Sequence, residues 1–131
     1  MELLQLENIV TAKLKVIVPR LTNGKYHYMS FTNEISDNTP SFPNVYVHEL
    51  EPCEVGRDLS NNKIHALRDT IQIDVSTNTS KNDSRIVSIA CVNAMKTLKY
   101  SLVSGPTYIK SNNIHRFVIR FRRIVANGDE L

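Results

Sequence analysis

The sequence predicts an α+β fold: a small antiparallel or mixed β-sheet of about four strands, packed on one face by two α-helices, with an extended hairpin or arm near residues 20–41. Three observations lead there. Two segments repeat apolar residues at three- and four-residue spacing, the mark of amphipathic helices. Others alternate apolar and polar residues, as half-buried strands do. Strands with one apolar face must bury it, and two helices are available to cover it.

Residues 2–18 form the first predicted helix. Leu3, Leu6, Val10, Leu14 and Ile17 share one face, and Pro19 follows the end. Residues 20–41 are rich in turn formers. Asn23-Gly24 is a hairpin turn signal, so Lys25 to Phe31 are expected as a short exposed strand or arm. Phe42 to Glu51 read as a strand with Val45 and Val47 inward and Pro43 at its start. Pro52 to Lys63 read as a polar loop. Ile64 to Ser76 give the clearest strand, with Leu67, Ile71, Ile73 and Val75 on one face. Asp69 interrupts that face and implies an edge or rim there. Ser80 is placed as an N-cap, with Asp83 three residues on as a weaker capping box. The helix it opens runs to about Leu98, with Val87, Ala90, Cys91, Ala94, Met95 and Leu98 as its stripe. A short strand over Tyr100–Val103, the segment TYIKSNN and a last strand, Ile114 to Val125, complete the chain.

The 131 residues make one domain, 1–131. A hydrophobic fraction of 41% is low for a globular chain but too high for a disordered one. No apolar run approaches the ~20 residues of a membrane span, so no membrane partner is expected. MELLQLENIV lacks a basic start and a cleavage site, so a reducing cytoplasm is expected, with Cys53 and Cys91 as free thiols. In that setting the two sequons, at Asn78 and Asn82, and the ending GDEL have no use.

Chemistry-bearing motifs are scarce. The histidines, His27, His48, His65 and His115, lie in separate segments and offer no zinc spacing. Cys91 sits in a helix stripe, and Cys53 lies between Glu51 and Glu54, which disfavour its thiolate. Neither suits a nucleophile. No phosphate loop, GxGxxG or GxSxG occurs. No metal, cofactor or catalytic residue is assigned, and an enzyme is the least favoured class.

Charge is unevenly laid out. From Ser84 to Gly128 there is no acid, while Arg85, Lys96, Lys99, Lys110, Arg116, Arg120, Arg122 and Arg123 fall there. From Glu34 to Asp58 lie six acids and one base, Arg57. The strand RFVIRFRR, 116–123, turns Phe117, Ile119 and Phe121 to one face and Arg116, Arg120 and Arg122 to the other. Asp74 on the neighbouring strand is expected to pair with one arginine, and Asp74 and Glu49 are the only evident strand acids. Stacking aromatics are absent from the arginine face, which disfavours base readout. Phosphate attraction and protein contact remain.

Four phrases follow the N-terminal helix: SFPNVYVHELEP, GRDLSNNKIHALRDTIQIDVST, SKNDSRIVSIACVNAMKTLKY and HRFVIRFRRIVANGDEL. In that order they resemble the small tail-terminator or tail-completion proteins of long-tailed bacteriophages, sometimes filed as minor capsid or head–tail joining proteins. The similarity covers most of the chain, most clearly Phe42 to Leu131. It implies a structural virion protein of the tail or neck, assembled in the bacterial cytoplasm, with no catalysis. It also implies a hexameric ring that caps the tail tube, ends its polymerisation and offers the head-joining surface. Partners would be copies of itself, the tail tube protein and head-connector or neck proteins, with DNA only passing through the lumen. A ring needs two complementary patches per subunit. The acidic side would include Glu49, Glu51, Glu54 and Asp58; Arg120 and Arg122 would join the interface or line the lumen, with Arg116 and Arg123 nearer the rim. Tyr26, Tyr28 and Phe31 would form an arm that orders on docking. The competing readings are a related neck adaptor or stopper and a basic nucleic-acid-binding module, whose affinity would fall steeply with salt.

Overall fold

The computed structural model describes residues 6–26, 29–34, 41–50, 53–58 and 63–126, with backbone only for 53–58, 63–67 and 126. Two helices, α1 (Leu6–Leu21) and α2 (Lys81–Thr97), join six strands: β1 (Ser30–Thr32), β2 (Asn44–Glu49), β3 (Cys53–Asp58), β4 (Lys63–Thr77), β5 (Ser101–Ser111) and β6 (Ile114–Ala126). The sheet runs β1-β2-β4-β6-β5, and β3 pairs with the first half of β4, alongside β2. Among the described residues only the β1–β2 pair is parallel. The fold is thus the expected α+β sheet with two helices.

Both helices lie on one face of the sheet. Val10, Leu14 and Val18 of α1, and Val87, Cys91 and Met95 of α2, meet Val45, Val47, Ile71, Ile73, Ile119 and Phe121 in one core. The sequence stripes account for this: every third or fourth residue of the helices and every second residue of the strands is apolar. α2 begins as its sequence predicts. Ser80 is the N-cap and its hydroxyl accepts the Asp83 N–H at 3.1 Å.

Four features depart from expectation. First, α1 continues through Pro19 to Leu21. Proline in the last turn deprives only the Lys15 carbonyl of its partner, and Lys15 is exposed to water. The Asn23-Gly24 pair, both at positive φ (54° and 67°), ends this helix instead of forming a hairpin, and the Gly24 N–H donates to the Pro19 carbonyl at 3.0 Å.

Second, the expected loop after Pro52 contains β3, which pairs Cys53 with Arg68 through to Asp58 with Lys63. Third, the short strand and following segment at 100–113 are one strand, β5, whose register slips twice, between Leu102 and Ser104 and between Ser104 and Thr107. Gly105 sits in the slipped stretch at φ +86°, and a Cβ there would run into the Val118 carbonyl oxygen. The hairpin from β5 to β6 turns on Asn112-Asn113, both left-handed at φ 48° and 66°. Fourth, Asp69 is not at a rim. It lies fully buried on the central strand β4, where the Tyr100 hydroxyl donates to its Oδ2 at 2.6 Å and Glu49 stands beside it.

Candidate interaction surface

The face of the sheet away from the helices carries the arginine row. No helix covers it among the described residues. Strand alternation sends Arg116, Arg120 and Arg122 of β6 outward, while Phe117, Ile119 and Phe121 are buried. The register decides what they meet. On β4 they lie opposite Ser76, Gln72 and Thr70; on β5 they lie opposite Ile109, Ser104 and Ser101. Every one of these neighbours is uncharged. Arg120 has no acid partner among the described residues and donates from Nε to Gln72 Oε1 at 3.0 Å. Arg116 and Arg122 have no hydrogen-bond or ion-pair partner among the described residues.

Asp74 does not take the arginine that the sequence offers it. It sits opposite Val118 and Tyr46, accepts Gln72 Nε2 at 3.0 Å, and lies 3.9 Å from His48 Nε2. Antiparallel pairing put it between two arginines of β6 and level with neither.

Arg123 follows the other parity. It points to the helix side, opposite Asp69 in the register, and donates from Nη1 to the Leu98 carbonyl at 2.8 Å. It caps the end of α2, so it is part of the fold and not of the open row.

The acids divide as well. Glu49 is half-buried on the inner face, opposite Ile71, and not on the outer face with the arginine row. Its backbone N–H donates to Glu7 Oε2 at 2.7 Å, and its carboxyl lies beside that of Asp69, where Glu49 Oε2 and Asp69 Oδ1 are buried without a hydrogen-bond partner among the described residues. Two buried carboxyls side by side disfavour double ionisation, so the pair favours keeping a proton. Burial first, then the Asp69 and Glu7 charges, push the Glu49 carboxyl up to about 8. Burial also raises Asp69, opposed by the hydrogen bond from the Tyr100 hydroxyl, at 2.6 Å, and by the neighbouring Glu49 carboxyl. The same cluster pushes the Tyr100 hydroxyl up, through burial and then the Asp69 charge. Glu51 lies outside the described residues. Glu54 and Asp58 are both carried by β3.

The expected arm is packed where it is described. Tyr26, Met29 and Phe31 rest against the core, and the Tyr26 hydroxyl donates to Asp83 Oδ1 at 3.0 Å. Phe31 belongs to β1, tied to β2. Tyr28 lies outside the described residues. Packing of this kind removes the reason for treating Tyr26 and Phe31 as a docking segment.

A hollow of about 790 Å³ opens at the β5–β6 corner, lined by Lys99, Leu102, Val103, Arg122, Arg123 and Ile124 among others. Leu102, Val103 and Ile124 are 46%, 45% and 56% exposed. No acid lines it. The sequence reading missed this corner. The apolar pair Leu102-Val103, which breaks strand alternation, was its one signal. Among the described residues, no three His, Cys, Asp or Glu side chains gather to hold a metal ion, and no helix is long and apolar enough to cross a membrane. No protein-family model matches the chain, and no curated protein matches it.

Proposed function

We propose that this chain is a structural virion subunit that forms a ring, hexameric in the resemblance, capping a phage tail tube and offering the surface to which the head joins. One observation carries the reading. Three arginines stand in a row on an open sheet face, and each faces only uncharged residues on both neighbouring strands. A fold gains nothing from such a row, since cross-strand acids would have stabilised it. A partner does gain from it. β3, on the opposite flank of the same sheet, carries two acids, Glu54 and Asp58, against one base, Arg57. Two unlike complementary patches on one subunit are what a closed ring requires. A related neck adaptor or stopper would use the same surfaces.

The test is solution mass by light scattering across protein concentration, at low and high salt, followed by addition of purified tail tubes and of DNA in separate samples. A discrete hexamer weakened by salt, or capture by tail tubes, supports the ring. Steeply salt-dependent capture by DNA alone, with no tube binding, overturns it in favour of a nucleic-acid module. The burial of Phe117 and Phe121 keeps the rings of β6 off the arginine face, and the rings that share that face are Tyr46 and His48 of β2, two strands away.

A further inference from the structure

The sheet is notched at one corner. β5 begins at Ser101, opposite Arg122, while β6 runs on to Ala126. The chain leaving α2 explains the gap. Lys99 turns left-handed at φ 66°, and Tyr100 goes inward and is buried. Its N–H donates to the Met95 carbonyl at 3.0 Å and its hydroxyl to Asp69. The strand therefore starts too late to cover the end of β6, and the hollow of about 790 Å³ is what remains. The far edge of β5 is open as well. All of its residues but Gly105 and Tyr108 are exposed, and β6 is its only strand neighbour among the described residues. Such an edge can take a further strand.

The hollow has an apolar floor and a basic rim. Large apolar side chains are mostly buried in this chain, yet Leu102, Val103 and Ile124 are exposed and share this one place. An exposed apolar cluster with a polar rim marks a contact site. Lys99 and Arg122 form the rim, both exposed and without an acid partner among the described residues. Arg123 is already held by the Leu98 carbonyl. Among the described residues, neither an acid nor an aromatic ring lines the hollow.

We infer that this corner binds an extended acidic segment of a partner protein. The segment seats an apolar side chain among Leu102, Val103 and Ile124, places carboxylates on Lys99 and Arg122, and lays its backbone along the start of β5. The inference stands whether or not the chain closes a ring. Each feature selects against another occupant. Two cations with no acid beside them call for carboxylates. The apolar floor gives the bases of a nucleic acid no ring to stack on. A second β5 laid on the first would set basic ends, Lys99 and Lys110, against one another.

The probe is a labelled synthetic peptide, EDLEDLE, read by fluorescence anisotropy against the unaltered full chain. Saturable binding is expected. Replacing its leucines by serine (EDSEDSE), or its acids by amides (QNLQNLQ), should weaken it by roughly tenfold or more, since floor and rim both contribute. On the protein, Arg122→Glu and Ile124→Ser, at two exposed positions, should each do the same. Arg116→Glu should change little. It lies roughly 20 Å along β6 from Arg122, beyond the screening length of about 8 Å at physiological salt. Bound peptide should also protect the amides of Leu102 and Val103 from hydrogen exchange. No binding to the unaltered chain, equal binding of EDSEDSE, equal loss with Arg116→Glu, or unprotected amides overturns the site. Binding that appears only in Asp129→Asn with Glu130→Gln assigns the hollow to the chain's own acids. Binding to the dilute subunit but not to an oligomer assigns it to a contact between copies. Either result overturns an outside partner. An oligothymidine that competes as well as unlabelled EDLEDLE overturns the acidic segment in favour of a phosphate chain.

Discussion

Glu49 and Asp69 sit where α1, β2 and β4 meet, and folding raises the proton affinity of both. Glu49 is raised from 4.5 to about 8 by burial and by its acidic neighbours, so the folded chain holds a proton that the unfolded chain has released. Stability linked to this group is fully present below pH 4.5 and is lost as pH rises toward about 8. Asp69 is raised too and adds to the trend with the same sign. Glu49→Gln keeps a neutral hydrogen-bond donor beside Asp69 without a titrating group. Relative to the unaltered chain it should gain at least about 1.4 kcal/mol between those limits, the free energy tied to one pH unit of displaced titration. Urea midpoints of both proteins across that range check it, and parallel curves would refute the raised proton affinity. A second residue has a purely steric role. Gly105→Ala must place a Cβ against the Val118 carbonyl at a φ of +86°, and should cost about 2 kcal/mol or more, read from the same midpoints.

At the scale of elements, α2 was legible almost residue by residue. Its apolar stripe, its Ser80 cap and its end near Leu98 are local features, written in neighbours along the chain. Ser80→Ala should therefore cost about 1 kcal/mol, and Ser80→Asp, which also caps, should cost much less; thermal melts of the two variants decide it. The strands β3 and β5 were legible only in part because their pairing is set elsewhere. β3 has almost no apolar alternation of its own and exists as the partner of Lys63–Arg68. β5 runs through Gly105-Pro106, a turn signal in sequence, because β6 supplies a continuous partner and two register slips absorb the misfit. The Asn-Gly pair at 23–24 was read correctly as a turn and wrongly as a hairpin, since the same left-handed geometry ends a helix. Asp69 deceived for a related reason. An acid on an apolar face suggests a rim, and only the fold brings Tyr100 and Glu49 to it.

For the whole molecule, the layering was legible and the distribution of charge was half so. The outward row of Arg116, Arg120 and Arg122 follows from alternation alone, but which residues face it depends on register, and the register gave it serine, threonine, glutamine and isoleucine. This separates stability from assembly in a way that can be measured. Among the described residues no acid pairs with Arg120 or Arg122, and both are exposed to water. Replacing both, Arg120→Glu with Arg122→Glu, should leave the unfolding free energy of the isolated subunit within about 0.5 kcal/mol of the unaltered chain. If the row serves a partner, the same change should abolish the salt-sensitive oligomer and the capture by tail tubes, because it turns attraction into repulsion at the contact. Arg123→Ala gives the opposite pattern. It strips the Leu98 carbonyl of its donor at the end of α2 and should destabilise the subunit by about 1 kcal/mol, while leaving the outward row intact. Denaturation and light scattering on the two variants, side by side, distinguish a surface kept for contact from one kept for folding. A row whose reversal unfolds the subunit, or leaves assembly untouched, would belong to neither the ring nor its closure.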